Sequence, residues 1–276
     1  MSDSSNEEEL PVPDATRRLR RFLDGKPELR FRCNLCGLWT WCSPDDLDRE
    51  APSCKHCGSN VRWRTIVAAL AKELFGRGLA IPEFPSRPDI KGIGLSDQGC
   101  YATPLAAKLG YLNTFYDREP RFDIMNVGPE HDGQYDFILS TEVFEHVAPP
   151  PIVAFESSYR ILRPGGVLVF SVPYRLEGPT IEHFPDLFNY RLERNGDDFV
   201  LYNETKDGRH EEFRDLVFHG GPGFTLEMRV FSLQGIRDCV AQAGFDSLKI
   251  CSEDDWEFGI YTKGVSWSLI MVAKKK

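Results

Sequence analysis

Five of the eight cysteines, Cys33, Cys36, Cys42, Cys54 and Cys57, crowd into 25 residues, whereas Cys100, Cys239 and Cys251 are scattered. Clustered thiols in a chain whose first residues are polar and acidic read as metal ligands before disulfides. Cys33-Asn34-Leu35-Cys36-Gly37 and Cys54-Lys55-His56-Cys57-Gly58 set the spacing Cys-x2-Cys-x17-Cys-x2-Cys, that of a zinc ribbon. An x2 spacing lets both sulfurs of one tight turn reach the same ion, and a glycine after each second cysteine suits the turn's backbone path. Two such turns make a closed four-sulfur site for Zn with no position open to water. The expected ligands are Cys33, Cys36, Cys54 and Cys57, with Cys42 and His56 as bystanders.

Three histidines are placed to take a proton near neutral pH: His146, His183 and His219. Each is also open to a structural role, the commoner one for a lone histidine. His219 precedes Gly220-Gly221-Pro222-Gly223, either a rim loop that closes over a substrate or a plain surface turn. The stretch Lys91-Gly92-Ile93-Gly94-Leu95-Ser96-Asp97-Gln98-Gly99 is a glycine-containing turn, and Gly92 and Gly94 permit close approach of backbone to a ligand.

The scaffold that must position these groups is legible as alternation. Residues 1–25 read as a mobile tail with one short basic helix over Arg17-Arg18-Leu19-Arg20-Arg21, and 26–64 as the ribbon. Residues 65–88 read as a helix followed by a Pro-rich extended linker, and 89–276 as the main domain. In that domain strands are expected at 90–95, 112–116, 135–140, 167–172, 247–251 and 267–273. A helix is expected over 103–109, closed by Gly110. A second carries Ile152, Phe155, Tyr159 and Leu162 on one face and stops at Pro164-Gly165-Gly166. A third carries Leu233, Ile236, Val240 and Ala243, with Ser232 as its N-cap. Alternating strands and helices predict a doubly wound α/β sheet. Residues 174–228 break the rhythm with aromatic, charged and Gly/Pro-rich sequence, and read as an insertion over the strand ends.

Two blocks are more specific. Tyr135-Asp136-Phe137-Ile138-Leu139-Ser140-Thr141-Glu142-Val143-Phe144-Glu145-His146-Val147, and Glu156-Ser157-Ser158-Tyr159-Arg160-Ile161-Leu162-Arg163-Pro164-Gly165-Gly166 running on through Pro173, closely resemble class I S-adenosylmethionine-dependent methyltransferases. The resemblance covers roughly 89–173 and 229–273. It implies a mostly parallel Rossmann-like sheet of class I methyltransferase type. It also implies S-adenosylmethionine as cofactor, at the C-terminal ends of the first, second and fourth strands. Aligned on Gly94, the family's acidic position is Gly92 and its later glycines are Ser96 and Gln98; Asp97 is the candidate to replace the missing carboxylate near the cofactor's amino group. Asp117 matches the residue that binds the ribose hydroxyls. Asp123, only six residues on, resembles the one near the adenine amine. Thr141 and Glu142 fall where the family lines its cofactor and acceptor cavity, and His146 has the best position for a base. The whole chain also resembles bacterial proteins that pair a zinc ribbon with this domain, often among sugar-polymer genes.

The charge balance narrows the partners. A net charge of −9 argues against a nucleic-acid partner. The six Lys/Arg and four Asp/Glu of residues 30–64 are offset once four thiolates hold a Zn ion. No apolar run approaches the ~18 residues of a membrane span, so no membrane partner is expected. A cytoplasmic enzyme is the expectation, transferring methyl to a small-molecule or glycan acceptor. The acceptor would sit between residues 142–146 and the insertion, against Tyr174, Phe184, Tyr190, Tyr202 and Phe218. Two other readings remain open. One is a non-catalytic binding or assembly protein with a degenerate cofactor turn; the other is RNA or protein methylation with the ribbon choosing the target.

Overall fold

The computed structural model describes residues 28–276 except Asp197, Pro222 and Lys263. The expected tail at 1–25 and its basic helix lie outside the described residues.

Strands β1 (Leu29–Arg32) and β2 (Trp39–Cys42) pair as an antiparallel hairpin. Helix α1 (Val61–Phe75) starts where the Asn60 side chain accepts the Trp63 N–H at 2.9 Å and ends at Gly76, which takes a left-handed φ of 71°. There follow β3 (Arg87–Leu95), α2 (Gly99–Ala106), β4 (Leu109–Thr114), β5 (Tyr135–Thr141), α3 (Ile152–Ile161) and β6 (Leu162–Ser171). The insertion contributes β7 (Tyr174–Arg175), β8 (Ile181–Glu182), β9 (Asn189–Asn195), β10 (Asp198–Glu204), β11 (His210–Phe213), β12 (Phe218–His219) and β13 (Thr225–Leu226). After β14 (Arg229–Ser232), α4 (Leu233–Gln242) begins at Ser232, whose hydroxyl caps Gly235 N–H at 2.9 Å. Strands β15 (Ser247–Ile250) and β16 (Met271–Lys274) close the fold.

Six strands form the main sheet in the order β15-β16-β6-β5-β3-β4. Strands β4, β3, β5 and β6 are parallel, and β16 runs antiparallel to both β6 and β15. The chain leaves β3 for β4 on one side and then crosses to β5 on the other, so the strand order reverses at β3, the kind of switch where α/β sheets bind ligands. Side chains alternate across the sheet. Phe137, Leu139, Val167 and Val169 face a core shared with α1, α2 and the ribbon, whereas Ile138, Leu168 and Phe170 face one shared with α3 and α4.

The Pro-rich stretch expected as an extended linker is packed instead. Residues Ile81–Glu83 make a turn of 3-10 helix, Ile81 and Phe84 are buried, and the Ile81 N–H donates to the Asn34 carbonyl at 2.8 Å. Ribbon residues Phe31, Cys33, Leu35 and Leu47 join the same apolar cluster as Ile66 and Leu70 of α1 and Phe137 of the sheet. Gly110, expected to stop a helix over 103–109, lies inside β4. A Cβ there would press on the Pro88 carbonyl oxygen of β3, so the glycine serves strand pairing and the helix sits earlier, at Gly99–Ala106. Strand β4 accordingly starts earlier than the expected 112–116. Pro164-Gly165 is a shift in β5–β6 pairing rather than a separate turn.

The insertion is an all-β unit. Strands β9, β10 and β11 form an antiparallel meander, β12 pairs with β13, and Phe184, Leu187, Leu201, Leu226 and Met228 give it a core of its own. Tyr174 and Phe184, expected to offer surface to an acceptor, are buried, whereas Tyr190 is exposed.

Candidate active site

The sulfurs of Cys33, Cys36, Cys54 and Cys57 all lie within 4.8 Å of one another. Cys33 and Cys57 are 3.6 Å apart and Cys36 and Cys54 3.9 Å apart. The edge of a tetrahedron built on ~2.3 Å zinc–sulfur bonds is roughly 3.8 Å. A fully buried guanidinium also fits an anionic four-sulfur site. Arg64 donates to the Gly259 and Ser59 carbonyls and the Ser53 and Ser59 hydroxyls, all neutral, while the neighbouring cysteines supply the negative field that counters its burial. Neither Cys42 nor His56 belongs to the group.

At the C-terminal ends of β3 and β4 a cavity of about 630 Å³ opens beside the first turn of α2, lined by Ser96, Gln98, Gly99, Asn113, Asp117 and Arg118 among others. Its size suits a small-molecule cofactor. Ser96 takes a left-handed φ of 61°, a conformation that favours glycine, where the chain turns out of β3. Asp117 is exposed at the rim beside Arg118. Gly92 and Gly94 serve packing: a Cβ on Gly92 would overlap the Phe137 ring, and one on Gly94 would overlap Tyr111 and Asp97. Asp97 also lines the cavity, but its carboxylate turns inward and accepts the phenol hydrogens of Tyr101, at 2.6 Å, and Tyr111. Burial pushes it up to about 7 despite those bonds. Thr141, at the end of β5, lies within reach of Tyr101. Asp123 accepts the Met125 N–H at 2.9 Å in a loop. Among the described residues no strand stands between β4 and β5, which explains the short gap from Asp117 to Asp123.

Beyond β5 the chain is held from two sides. Glu142 has a left-handed φ of 56° and accepts from Arg49 at 2.6 Å, Ser171 at 2.6 Å and Ser268 at 2.8 Å. Burial works to raise its carboxyl, but the Arg49 charge and these hydrogen bonds win and hold it below the usual range. The following turn, Phe144–His146, is pinned by the buried Arg229. Its guanidinium donates to the Phe144 and Val147 carbonyls at 2.9 and 2.7 Å and pairs with Glu182 at 2.7 Å.

This turn and the insertion bring the three histidines together. His146 Nδ1 lies 2.9 Å from the Leu226 carbonyl, and its Nε2 lies 3.1 Å from His219 Nδ1. His219 Nε2 is 3.0 Å from Glu227 Oε2, and the other oxygen of Glu227 is 2.9 Å from His183 Nε2. Glu145, fully buried, sets a carboxyl oxygen 3.6 Å from His146 Nε2 and 4.0 Å from His219 Nδ1, and neither of its oxygens has a hydrogen-bond partner among the described residues. Burial, reinforced by Glu142, raises the Glu145 carboxyl well above the ordinary range, and burial lowers His146.

Sequence reasoning found the histidines but missed Glu145, Glu227, Arg49 and Arg229. Glu145 had a signal, since it adjoins His146 in the quoted block. The others come from distant segments with no fixed spacing to that block.

The sequence model of a methyltransferase-domain family matches residues 96–250, more than half of the chain. Ubiquinone biosynthesis O-methyltransferases from Psychrobacter cryohalolentis and Psychrobacter arcticus are each 31% identical over 83 residues, 30% of this chain and 32% of theirs. The chain thus matches about a third of the length of these curated relatives. Among solved structures, an S-adenosylmethionine-bound amino pentose methyltransferase from Micromonospora echinaspora is 13% identical, with 79% of this chain and 93% of that one covered at a TM-score of 0.42. An S-adenosylmethionine-dependent methyltransferase from Mesorhizobium loti is 12% identical, with 79% and 100% covered at a TM-score of 0.45. With a match running from the turn after β3 through the last residue of β15, the chain belongs to the methyltransferase-domain family.

Proposed function

We propose that this chain transfers a methyl group from S-adenosylmethionine to a hydroxyl of a small-molecule or sugar acceptor. The observation that carries the reading is the meeting of His146, His219 and Glu145 where the loop after β5 touches the insertion, on a sheet whose neighbouring strand ends open into a cofactor-sized cavity. Family membership and the oxygen chemistry named for the ubiquinone-pathway relatives support it.

Asp117 and the 96–99 turn would hold the cofactor. S-adenosylmethionine, when bound, supplies an activated methyl whose carbon–sulfur bond breaks as the acceptor oxygen attacks, the sulfur leaving with the bonding electrons. The chain's part is alignment and proton handling. The His146–His219 cluster takes the hydroxyl proton, and the insertion walls the acceptor from water. The ribbon holds one zinc on Cys33, Cys36, Cys54 and Cys57 and braces α1 against the sheet.

A second reading, a non-catalytic assembly protein, draws on the inward turn of Asp97 and the packing roles of Gly92 and Gly94. Calorimetry of the zinc-loaded chain with millimolar S-adenosylmethionine decides between them. Binding that weakens in Asp117→Ala is expected; no heat and no thermal shift would leave the assembly reading.

A further inference from the structure

We propose that Glu145, His146 and His219 form a second metal site, apart from the four cysteines, which holds a divalent first-row transition-metal ion through one carboxylate oxygen and two ring nitrogens. The proposal deepens the acceptor-site reading above and rests on it for its place in the reaction: with an ion bound the two rings serve as its ligands, and they take the acceptor proton themselves only without it.

The argument starts from where the ring hydrogens must be. A backbone carbonyl only accepts, so the 2.9 Å contact from His146 Nδ1 to the Leu226 oxygen puts the hydrogen on Nδ1 and leaves a lone pair on Nε2. His219 Nε2 lies 3.0 Å from Glu227 Oε2, and the neutral ring with its hydrogen on that nitrogen has its lone pair on Nδ1. In these tautomers the two nitrogens, 3.1 Å apart, both present lone pairs, so a proton or a cation must lie between them. Beside them stands the Glu145 carboxyl group, fully buried and, among the described residues, without a hydrogen-bond partner on either oxygen. Two nitrogen lone pairs and a buried carboxyl group with no hydrogen-bond partner among the described residues make a donor set that a cation would complete.

The spacing suits an ion. Two nitrogens bound at ~2.1 Å with angles between square and tetrahedral lie roughly 3.0–3.4 Å apart. All three donor atoms fall within 4.8 Å of one another. The surroundings also have the form of a metal site's supporting shell, in which the second nitrogen of each ligating imidazole is fixed by a carbonyl or carboxylate. Here Leu226 does this for His146 and Glu227 for His219, while His183 holds the far oxygen of Glu227 at 2.9 Å. Arg229 fixes the turn that carries Glu145 and His146, so the site stands on pinned backbone. Mixed nitrogen and oxygen donors select zinc, manganese, iron or cobalt over calcium, and three protein ligands leave positions open for an oxygen of the acceptor.

The probe is Mn²⁺ titrated into full-length protein with its ribbon zinc in place, with free Mn²⁺ read by electron paramagnetic resonance and total zinc by elemental analysis. Manganese has little affinity for a four-thiolate site, so uptake reports the second site. One Mn²⁺ per chain is expected, displaced by one added Zn²⁺. Glu145→Gln and His219→Ala should abolish it, and Glu227→Gln should weaken it about 10–100-fold through the loss of its hold on His219. His219 lies on the half-exposed β12, so its variant keeps the fold, which an unchanged melting temperature and retained ribbon zinc would verify. No uptake of either ion beyond the ribbon's zinc would overturn the proposal and leave the two rings sharing a proton only. Uptake unchanged in both Glu145→Gln and His219→Ala would overturn it as well. The measurement needs neither cofactor nor acceptor, so its failure is separable from failure of the methyl-transfer reading.

Discussion

Arg49, in the ribbon segment, donates to Glu142 at 2.6 Å, and Glu142 is the first residue beyond β5. The ion pair crosses from a peripheral module to the switch point of the sheet. Arg49 also donates to the Ser268 carbonyl and hydroxyl, and the same hydroxyl donates on to Glu142, so three distant segments meet at one carboxylate. Glu142 holds a left-handed backbone that costs on the order of 1–3 kcal/mol and persists only where the surroundings over-determine it. The ribbon thus helps shape the loop that carries Glu145 and His146.

Removal of Arg49 therefore strands a mostly buried carboxylate. Arg49→Ala should destabilise the chain by about 3–5 kcal/mol, and Arg49→Ala/Glu142→Gln by less than that, because breaking one partner leaves the other uncompensated. Urea denaturation of both variants checks the order. The pH sign follows from a lowered carboxyl: the Glu142 contribution is present above its unfolded pKa and is lost as pH falls through its lower folded value. The wild-type advantage over the double variant should shrink in acid.

Asp97 has the opposite sign. Its folded pKa, about 7, lies above the ~3.9 of an unfolded aspartate, so the folded state binds the extra proton between those values. Stability should fall as pH rises from about 4 to about 7, by on the order of 4 kcal/mol from this residue, and then level off. Asp97→Asn keeps an acceptor for Tyr101 and Tyr111 and removes the titration. Its melting temperature should overtake that of wild type as pH rises through this window; parallel curves from pH 4 to 8 would refute the assignment.

What was legible in the sequence follows from how local each signal is. The β5 block and the β6 run sit at the sheet's centre, buried on both faces, so their apolar register alone marks them. The cysteine knuckles are local turns and the spacing carries them. Gly110 misled because a glycine at a helix end and one under a neighbouring strand look alike in sequence, and only the approach of Pro88 tells them apart. Ile81 and Phe84 read as linker because their partners lie in the ribbon and α1. The histidines were found singly, as alternatives; that they share one cluster depends on Arg229 and Glu182 drawing the insertion onto the turn after β5, a contact between segments about eighty residues apart.

Zinc removal should reach beyond the ribbon. Cys33 and Cys54 belong to the same apolar cluster as α1 and the central sheet, so a metal held by the four cysteines would contribute to the stability of the whole chain. Structural zinc is worth on the order of 10 kcal/mol in small peptides. One zinc per chain is expected by elemental analysis, and a strong chelator or Cys54→Ser should lower the melting temperature of the whole molecule in a single transition. A metal-free protein with an unchanged melt would remove the structural role.

The histidines should not be equivalent in the reaction. His146 and His219 meet at 3.1 Å beside Glu145, whereas His183 reaches them only through Glu227 and so acts as a positioning residue. With an acceptor hydroxyl in hand, His146→Ala and His219→Ala should each lower kcat by about 10²–10⁴, the usual loss for a group that handles the proton in the transition state. Their losses should not add, because the two rings act as one unit and removal of either leaves the other without its partner. His183→Ala should cost less and shift the pH profile of kcat, since Glu227 then holds His219 alone. S-adenosylmethionine affinity should stay at the wild-type value in all three, because the cavity proposed for the cofactor is lined by the 96–99 turn and Asp117. Near-wild-type turnover in His146→Ala with cofactor binding intact would take the cluster out of the mechanism. A drop confined to cofactor affinity would move the cluster's role from the acceptor to the donor side.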